Sequence, residues 1–357
     1  MNSSVRLFCF CFILSSLCAC VDKIELSAPD QPESGILVQG RFLYGNPCVV
    51  TASVFELYTL SNNLPRPIGG ADVLLRDDQG HEIELLSNFD GNYYLELDPS
   101  DPDFPIQTGR QYQLSALLPN GQIYQSDWET LLAVPPIDSI HTEWLERDAI
   151  DNLGQLVTEP YIRFGVSTDL TTAGNIEPLC MRWEFDAAYR ITDDLFKTCY
   201  TIRNLLNDNV FVFDGASLAQ TNLVGYPLAE TLVDYRFAEG FYIVVYQQSI
   251  SKNAYGYFEE LNQLLARRGT LFDPPAGAIR TNISNISDPA ALVYGFFYVA
   301  AQDTARLYIS PDMASNPTKR CPIPPSLSGE PGPPNSCDDC LLEAGEATLQ
   351  KPTWWFF

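Results

Sequence analysis

The sequence predicts a mainly β protein, with two β-sandwich-like domains in tandem and one amphipathic helix in the second. From Ile36 onward, short runs of alternating apolar and polar residues are separated by turn residues, which is typical of all-β folds. Removing a 19-residue leader from the 357 residues leaves 338, enough for two domains at ~150 residues each. Only one long segment, about Ser251 to Arg268, has clear helical periodicity.

Composition excludes several classes of protein. The hydrophobic fraction of 46% and the aromatic fraction of 12% are too high for a disordered chain. The formal net charge is -24, which repels phosphate backbones and anionic lipid headgroups. We therefore expect no nucleic-acid partner, and we expect any membrane attachment to depend on acyl chains rather than on a basic surface.

The amino terminus has the features of a targeting segment. Arg6 precedes the apolar run Leu7 to Leu17, which is too short to span a membrane, and Leu17-Cys18-Ala19-Cys20 follows the pattern at which bacterial lipoproteins are cleaved and acylated. Residues 1–19 are thus predicted to be a signal peptide, and Cys20 the site of a fatty acyl anchor such as palmitate. The alternative is a secreted protein cleaved elsewhere. Residues 20–35 are predicted to be a tether.

The first domain is predicted over residues 36–134. Alternation is clearest in Gln111 to Leu118, and Asp90-Gly91 and Asn120-Gly121 are typical of tight hairpin turns. The predicted strands are Ile36 to Tyr44, Val49 to Leu60, Ala71 to Arg76, Glu82 to Leu86, Asn92 to Leu97, Gln111 to Leu118 and Gln122 to Leu131.

Two segments of this domain, Pro67 to Leu75 and Asp90 to Tyr94, resemble the carboxypeptidase regulatory-like, transthyretin-type β-sandwich. The resemblance implies a seven-stranded accessory module without chemistry of its own.

Val134-Pro135-Pro136 marks the predicted boundary with a second domain at residues 135–310, because prolines interrupt strand pairing. Phe241 to Tyr246 is apolar on both faces and is predicted to be a central strand. Ser251 is the predicted cap of the helix, and Gly269 its end. The other predicted strands are His141 to Glu146, Tyr161 to Ser167, Leu179 to Arg190, Thr198 to Arg203, Val210 to Phe213, Thr231 to Phe237, Val293 to Ala300 and Ala305 to Ile309.

A second resemblance is carried by the segments Tyr242 to Ser251, Ala254-Tyr255, Gly269 to Pro275, Asn282 to Asn285, Tyr294 to Val299 and the end of the chain from Cys337 to Trp355. It covers nearly the whole mature chain and is to the Bacteroidota outer-membrane lipoprotein family known as domain of unknown function 4249. The resemblance implies a lipoprotein often encoded beside a TonB-dependent transporter, with no site residues to carry over. The anchor-proximal residues Val21 to Glu25 are only loosely similar to a surface-export signal, so surface and periplasmic orientations stay open.

Residues 311–357 form a Pro-rich tail with three cysteines and an aromatic end. In an exported chain, disulfides are favoured over a zinc or redox site for Cys337-x-x-Cys340. Cys180 with Cys199 is the preferred first pairing, although six cysteines allow 15 connectivities. The disulfide candidates are Cys180, Cys199, Cys321, Cys337 and Cys340, and the fate of Cys48 is open.

The aromatic end of the tail either packs on its own domain or forms a partner-binding patch. The residues concerned are Trp354, Trp355, Phe356 and Phe357.

No catalytic constellation is evident. His81 and His141 are the only histidines, which disfavours histidine-dependent catalysis and zinc sites, so we expect no metal and no cofactor. The prediction is an outer-membrane lipoprotein, a non-catalytic binding or accessory component associated with a TonB-dependent transporter or another envelope complex, whose ligand is unknown. The alternatives are a carbohydrate hydrolase that uses two carboxylates, and a structural assembly factor.

Overall fold

The structure is a computed structural model that describes residues 35–57, 65–173, 177–205, 210–266, 279–321 and 335–356. The predicted signal peptide, Cys20 and the tether lie outside these residues. The described chain is mainly β, with three sheets and one α-helix, as the sequence predicts. None of the helices described is long and apolar enough to cross a membrane.

The strands of the first half follow the predicted alternation closely. Two predicted strands, Ile36 to Tyr44 and Asn92 to Leu97, have the observed bounds, whereas Glu82 to Leu86 and Gln122 to Leu131 are each divided in two. The observed strands are β1 (Ile36–Tyr44), β2 (Cys48–Glu56), β3 (Arg66–Pro67), β4 (Asp72–Asp77), β5 (Glu82–Glu84), β6 (Leu86–Ser87), β7 (Asn92–Leu97), β8 (Gln111–Leu117), β9 (Ile123–Ser126) and β10 (Glu129–Thr130).

Most strands of the second half are longer than predicted, and the predicted strand Val293 to Ala300 is divided in two. The second half contains β11 (Ile137–Ile150), β12 (Leu156–Asp169), β13 (Cys180–Thr192), β14 (Thr198–Asn204), β15 (Phe211–Asp214), β16 (Asn222–Leu232), β17 (Phe241–Ile250), α1 (Lys252–Leu265), β18 (Ile283–Asn285), β19 (Val293–Tyr294), β20 (Phe297–Ile309) and β21 (Glu346–Thr348). The predicted strand Thr231 to Phe237 is wrong beyond Leu232, because Tyr235–Phe237 is a single 3-10 turn. Ala305 to Ile309 is the end of β20 and not a separate strand.

One large sheet joins the two halves of the chain. Its main strand order is β21-β14-β13-β17-β20-β1-β2-β7-β6. The first strand, β1, lies parallel to β20, with Gly40 opposite Phe297. The predicted division between residues 134 and 135 is therefore crossed by continuous strand pairing.

Strand β17 is central to the large sheet, as predicted. It pairs with β13 on one side and β20 on the other, and every residue except Tyr246 is buried. Burial on both faces explains its continuous apolar sequence.

Two smaller sheets cover parts of the large sheet. A six-stranded sheet built around β4, β8 and β9 encloses a core that contains Phe42, Leu75 and Tyr112. A three-stranded sheet with the order β11-β12-β16 encloses a second core that contains Phe164 and Trp183. Each such side chain contributes ~1.5–3 kcal/mol on burial, so the two layers hold the molecule together.

Both predicted hairpin turns are present. Gly121 has a φ of 85° and lies between β8 and β9, and Gly91 has a φ of 80° between β6 and β7. At Gly91 a Cβ would also lie 2.8 Å from the carbonyl oxygen of Val54. Glycine is thus required there by both conformation and space.

Helix α1 begins as predicted, because the Ser251 hydroxyl accepts a hydrogen bond from the Ala254 backbone N–H at 3.1 Å. Ala254 and Phe258 are the buried residues of its apolar face. The predicted helix end at Arg268 and Gly269 lies outside the described residues.

The predicted pairing of Cys180 with Cys199 is wrong. Cys199 lies opposite Ile191, eleven residues along β13 from Cys180, which corresponds to ~36 Å. A disulfide requires Cα atoms within ~7 Å. Instead Cys199 pairs with Cys340 and Cys321 with Cys337, at Cα separations of 5.7 and 5.3 Å, whereas Cys180 and Cys48 are free and buried.

Candidate partner-binding surface

The strands of the large sheet define two ends of the molecule. β1 and β20 run in the same direction, and Gly40 of β1 lies opposite Phe297 of β20. Ile36 is four positions before Gly40, and Ile309 is twelve positions after Phe297. At ~3.3 Å per residue, Ile36 and Ile309 lie ~50 Å apart along the strands. We call the end at Ile36 the amino-terminal end, and the opposite end the distal end.

The β13–β14 hairpin reaches the distal end. Phe241, which pairs with Ile309, also pairs with Tyr189, and β13 continues beyond that level to a tight turn at Asp193–Lys197. Leu195 and Phe196 at this turn are 77% and 73% exposed. Phe196 also has a φ of 63°, a left-handed conformation that is unusual for a bulky residue.

The tail segment 335–343 is fixed to this hairpin. Besides the Cys199–Cys340 disulfide, the Asp194 N–H donates to the Cys337 carbonyl at 2.9 Å. The Lys197 ammonium lies 2.6 Å from Asp339, whose pKa is lowered mainly by this hydrogen bond. The exposed side chains Leu341 and Leu342 directly follow Cys340 and are therefore held at the distal end.

A two-stranded ribbon projects from the same end. Phe164 of β12 stacks on Phe241, and four residues later the Thr168 hydroxyl accepts a hydrogen bond from Gln247 at 2.8 Å. β12 therefore runs from the distal end toward the amino-terminal end. The third strand, β16, pairs with β12 only as far as Tyr161, and the Val233 N–H that follows it donates to the Pro160 carbonyl. Among the described strands, residues 147–159 therefore extend as a pair alone.

The tip of this ribbon is apolar. Ile150, Leu153 and Leu156 are 74%, 81% and 74% exposed. A turn at Asp151 shapes the tip, because its carboxylate accepts hydrogen bonds from the Leu153 and Gln155 N–H groups. Isolated two-stranded hairpins are only marginally stable in water, and exposed apolar side chains at the tip of such a ribbon make it a candidate binding surface.

We define the distal surface as the exposed apolar side chains of these three segments: Ile150, Leu153, Leu156, Leu195, Phe196, Leu341 and Leu342. Sequence reasoning missed all seven. The predicted strand His141 to Glu146 is shorter than β11, and no motif distinguishes the tip. One signal was available at the ribbon tip: Ile150, Leu153 and Leu156 are large apolar residues within a segment that also contains turn-forming Asp and Gly.

The charge around the ribbon is acidic. Arg147 forms an ion pair with Glu230, and hydrogen bonding by Arg147 is the main cause that lowers the pKa of this carboxyl. Among the described residues, no cation lies within ion-pair distance of Glu146 or Asp148. These two side chains are available to a basic partner.

One group of potential metal ligands lies nearby. Atoms of Asp193, Asp339 and Cys340 lie within 4.8 Å of one another. The Cys340 sulfur is bonded to Cys199, and Lys197 contacts both carboxylates. These contacts hold the hairpin and the tail together and do not suit a cation site. The Cys340 sulfur is not a free thiolate, and the two carboxylates are already paired with Lys197.

Two carboxylates share one face of β13, the arrangement that the alternative enzyme prediction requires. Glu184 contacts both Arg182 and Arg41, and these cations hold its pKa down against burial. Burial raises the pKa of Asp186, which accepts a hydrogen bond from Tyr246 at 2.9 Å. A cavity of about 440 Å³ opens beside Asp186, lined by Ile202, Arg203, Asn204, Ala344, Gly345 and Glu346. Glu184 does not line it.

The two histidines are placed apart. The buried Asp77 carboxylate accepts a hydrogen bond from His81 Nδ1 at 2.8 Å, in a turn that Arg110 also contacts. His141 lies on the open face of the three-stranded sheet, 2.7 Å from the Ser167 hydroxyl. Neither histidine belongs to a group of three potential metal ligands in the described chain.

The predicted aromatic patch is divided by the fold. Trp355 is buried against Tyr242 and Tyr200, Trp354 is half-buried, and Phe356 is 79% exposed. Phe357 and Cys20 lie outside the described residues. The tail aromatics therefore mainly pack on the chain's own sheet.

A family model described as "Domain of unknown function (DUF4249)" matches residues 22–306, most of the chain. No curated protein matches the sequence.

Proposed function

Because the chain belongs to the DUF4249 family, whose function is unknown, we propose from its own features that it is an outer-membrane lipoprotein acting as a non-catalytic accessory component. In this proposal, Cys20 carries the acyl anchor and the distal surface binds a protein of the envelope. A TonB-dependent transporter is the proposed partner. We further propose that the first half is an accessory sandwich of the carboxypeptidase regulatory-like type.

The observation that carries the proposal is the position of the distal surface. Its apolar side chains lie at the end opposite Ile36, so a chain tethered through its amino terminus can present them away from its point of attachment. In this proposal, the length of residues 20–35 limits the distance between the folded chain and the bilayer to ~50 Å. A net charge of -24 disfavours contact with anionic headgroups.

Site-specific photocrosslinking tests the partner. A benzophenone amino acid replaces Leu153 or Phe196 in the full chain, and adducts are identified from solubilised envelopes. We expect a TonB-dependent barrel in both adducts. Phe89 is the matched control, because it is 81% exposed at a hairpin tip with a φ of 60°, yet lies at the amino-terminal end. Equal adducts from Phe89, or none from the distal positions, would contradict the proposal.

The anchor is tested separately. Replacing Cys20 with Ala should move the protein from the membrane fraction to the soluble fraction while its fold, measured by circular dichroism, is unchanged. Unchanged partitioning would show that Cys20 is not the membrane attachment.

A second candidate function is the two-carboxylate hydrolase. It is favoured by one observation, the opposite pKa shifts of Glu184 and Asp186 on one strand face, since environments that separate two carboxyl pKa values suit acid and base roles. Wild-type protein and Asp186→Asn should be compared for release of reducing sugar from envelope polysaccharides. Activity that Asp186→Asn abolishes would support it, and equal absence of activity would exclude it for those substrates.

A further inference from the structure

The outer edge of β11 has unpaired backbone groups that face the solvent. β11 lies at the border of its sheet and pairs only with β12 among the described strands. Among the residues that the structure describes, a contact covers this edge at its beginning, where the Ile137 N–H donates to Asp303. From His141 to the ribbon tip, the outward N–H and C=O groups have no strand beside them in the described chain. An edge strand of this kind can pair with an added strand.

The hydrogen-bond pattern identifies which groups point outward. The Asp151 N–H donates to the Gln155 carbonyl at 2.9 Å, so this facing pair is hydrogen-bonded. In antiparallel strands, hydrogen-bonded and non-hydrogen-bonded pairs alternate. The pairs Asp148–Thr158 and Glu146–Pro160 are therefore of the second kind, and their backbone groups point away from the ribbon.

An independent contact agrees with this assignment. The Pro160 carbonyl accepts a hydrogen bond from the Val233 N–H at 2.9 Å, on the side away from β11. The two edges of the ribbon therefore differ. On the β12 edge, Pro160 removes an outward donor, a common protection against strand addition, whereas β11 has no proline from Ile137 to Ile150.

The side chains beside the open edge indicate what kind of strand fits. Successive side chains of a strand point to opposite faces. One face of β11 therefore carries Trp144, Glu146, Asp148 and Ile150. Trp144 is 43% exposed and Ile150 74% exposed, and the two acidic residues between them have no ion-pair partner in the described chain. An extended strand in which basic and apolar residues alternate along the chain places its basic side chains on this face, opposite Glu146 and Asp148. A second copy of this chain does not, because its β11 would place acidic groups against acidic groups.

We propose that β11 is a strand-accepting edge, which binds an extended segment of a partner protein whose side chains alternate between apolar and basic. This inference rests on the proposed function, since it names how the distal surface would engage its partner. Backbone pairing along Trp144–Ile150 supplies the affinity, and Glu146 and Asp148 select the basic side chains.

Two synthetic peptides of about ten residues test the edge, one alternating valine and lysine and one alternating valine and glutamate. Titration calorimetry with the full chain should show binding of the lysine peptide and no binding of the glutamate peptide. Amide hydrogen exchange should slow at Trp144, Glu146 and Asp148 when the lysine peptide is bound. Equal binding of both peptides would overturn the proposal.

A pair of proline variants provides the matched control. Asp148→Pro removes an outward N–H from β11, and Thr158→Pro removes the directly opposite outward N–H from β12, so both disturb the same pair of the ribbon equally. Asp148→Pro should weaken lysine-peptide binding roughly tenfold, because it removes a pairing donor and a carboxylate. Thr158→Pro should leave binding unchanged. Equal loss from both variants would contradict the proposal.

A double charge reversal keeps the test valid if the proline variants unfold. Glu146→Lys with Asp148→Lys should reverse the preference, so that the glutamate peptide binds and the lysine peptide does not. Self-association of the wild-type chain that Asp148→Pro abolishes, without peptide binding, would identify a second copy as the occupant and overturn the proposal.

The crosslinking adduct at Leu153 separates this inference from the proposed function. If a transporter adduct forms equally in wild type and Asp148→Pro, the accessory function stands and the strand-accepting edge is wrong. If the lysine peptide binds but no transporter adduct forms, the edge stands and the proposed partner is wrong.

Discussion

The two ends of the large sheet are stabilised by different chemistry. At the distal end, the Cys199–Cys340 disulfide fixes the tail to the β13–β14 hairpin, and the Cys321–Cys337 disulfide closes a loop within the tail. Toward the amino-terminal end, the first and second halves meet at buried hydrogen bonds around Glu129. The stability of the distal end should therefore depend on redox conditions, and that of the other end on pH.

The polar junction around Glu129 includes the side chains of Asn282 and Ser251. Asn282 donates to the Glu129 carboxyl at 3.3 Å and to the Phe297 carbonyl at 2.8 Å, and its side-chain oxygen accepts from the Phe297 N–H. Glu129 is 1% exposed, and its second oxygen has no hydrogen-bond partner among the described residues. Burial is the main cause that raises the pKa of Glu129, to about 7, and Asp127 adds to it.

The largest expected effect is on the distal end. Replacing Cys199 with Ser opens a loop of 141 residues and should cost ~5 kcal/mol of unfolding free energy, whereas Cys321→Ser opens a loop of 16 and should cost ~3 kcal/mol. Urea unfolding under oxidising conditions measures both. Equal costs would show that the loop-entropy argument does not describe this tail.

The next effect concerns the packing of the tail itself. Trp355 is 3% exposed and contacts Tyr200 and Tyr242 through edge-to-face arrangements, so Trp355→Ala should cost ~4 kcal/mol. Phe356→Ala is the control, because Phe356 is exposed, and it should change stability by less than ~0.5 kcal/mol. If both variants unfold at the same urea concentration, the tail is not docked as described.

The third effect tests the other end. The pKa of Glu129 is higher in the folded chain than its ordinary value of 4.5, so the folded state binds more protons between those values, and stability falls as pH rises from ~4.5 to ~7. The total fall is ~3 kcal/mol. Glu129→Gln should remove this slope between pH 5 and pH 8 and leave stability near the low-pH value.

Control measurements separate this effect from the distal end. Cys321→Ser should keep the full pH slope, and Glu129→Gln should keep the full sensitivity to reductant. A slope that persists in Glu129→Gln would assign it to other groups. Burial raises the pKa values of Asp77 and Asp193, but hydrogen bonds in their turns lower them further, so each pKa is below its ordinary value. The stability that these two carboxylates contribute is lost only at more acidic pH.

The sequence predicted what depends on local pattern. The alternation in Gln111 to Leu118, the glycines of two hairpin turns and the Ser251 cap all act within a few residues, and each is present. The continuous apolar run at Phe241 correctly indicated burial on both faces.

What the sequence could not provide depends on contacts distant in the chain. Cys199 and Cys340 are 141 residues apart, and nothing in their spacing indicates that β14 brings one to the other. The parallel pairing of β1 with β20 likewise links the first strand to the last long one. The distal surface results from both, because three segments reach one end only after the sheet has formed.

The smallest expected effect sharpens the comparison of the two ends. Phe89 and Phe196 are both exposed at hairpin tips with φ values of 60° and 63°, a conformation that costs a bulky residue ~1–2 kcal/mol. Glycine relieves this cost but adds freedom to the unfolded chain, so Phe89→Gly and Phe196→Gly should each stabilise by ~0.5–1 kcal/mol in urea unfolding.

Function should separate these two substitutions. Phe196→Gly should reduce the crosslinking adduct at Leu153, because it removes a side chain of the distal surface, whereas Phe89→Gly should leave that adduct unchanged. An equal reduction by both variants would mean that partner binding follows hairpin conformation rather than position. No reduction by either would remove Phe196 from the binding surface and leave the ribbon as its main element.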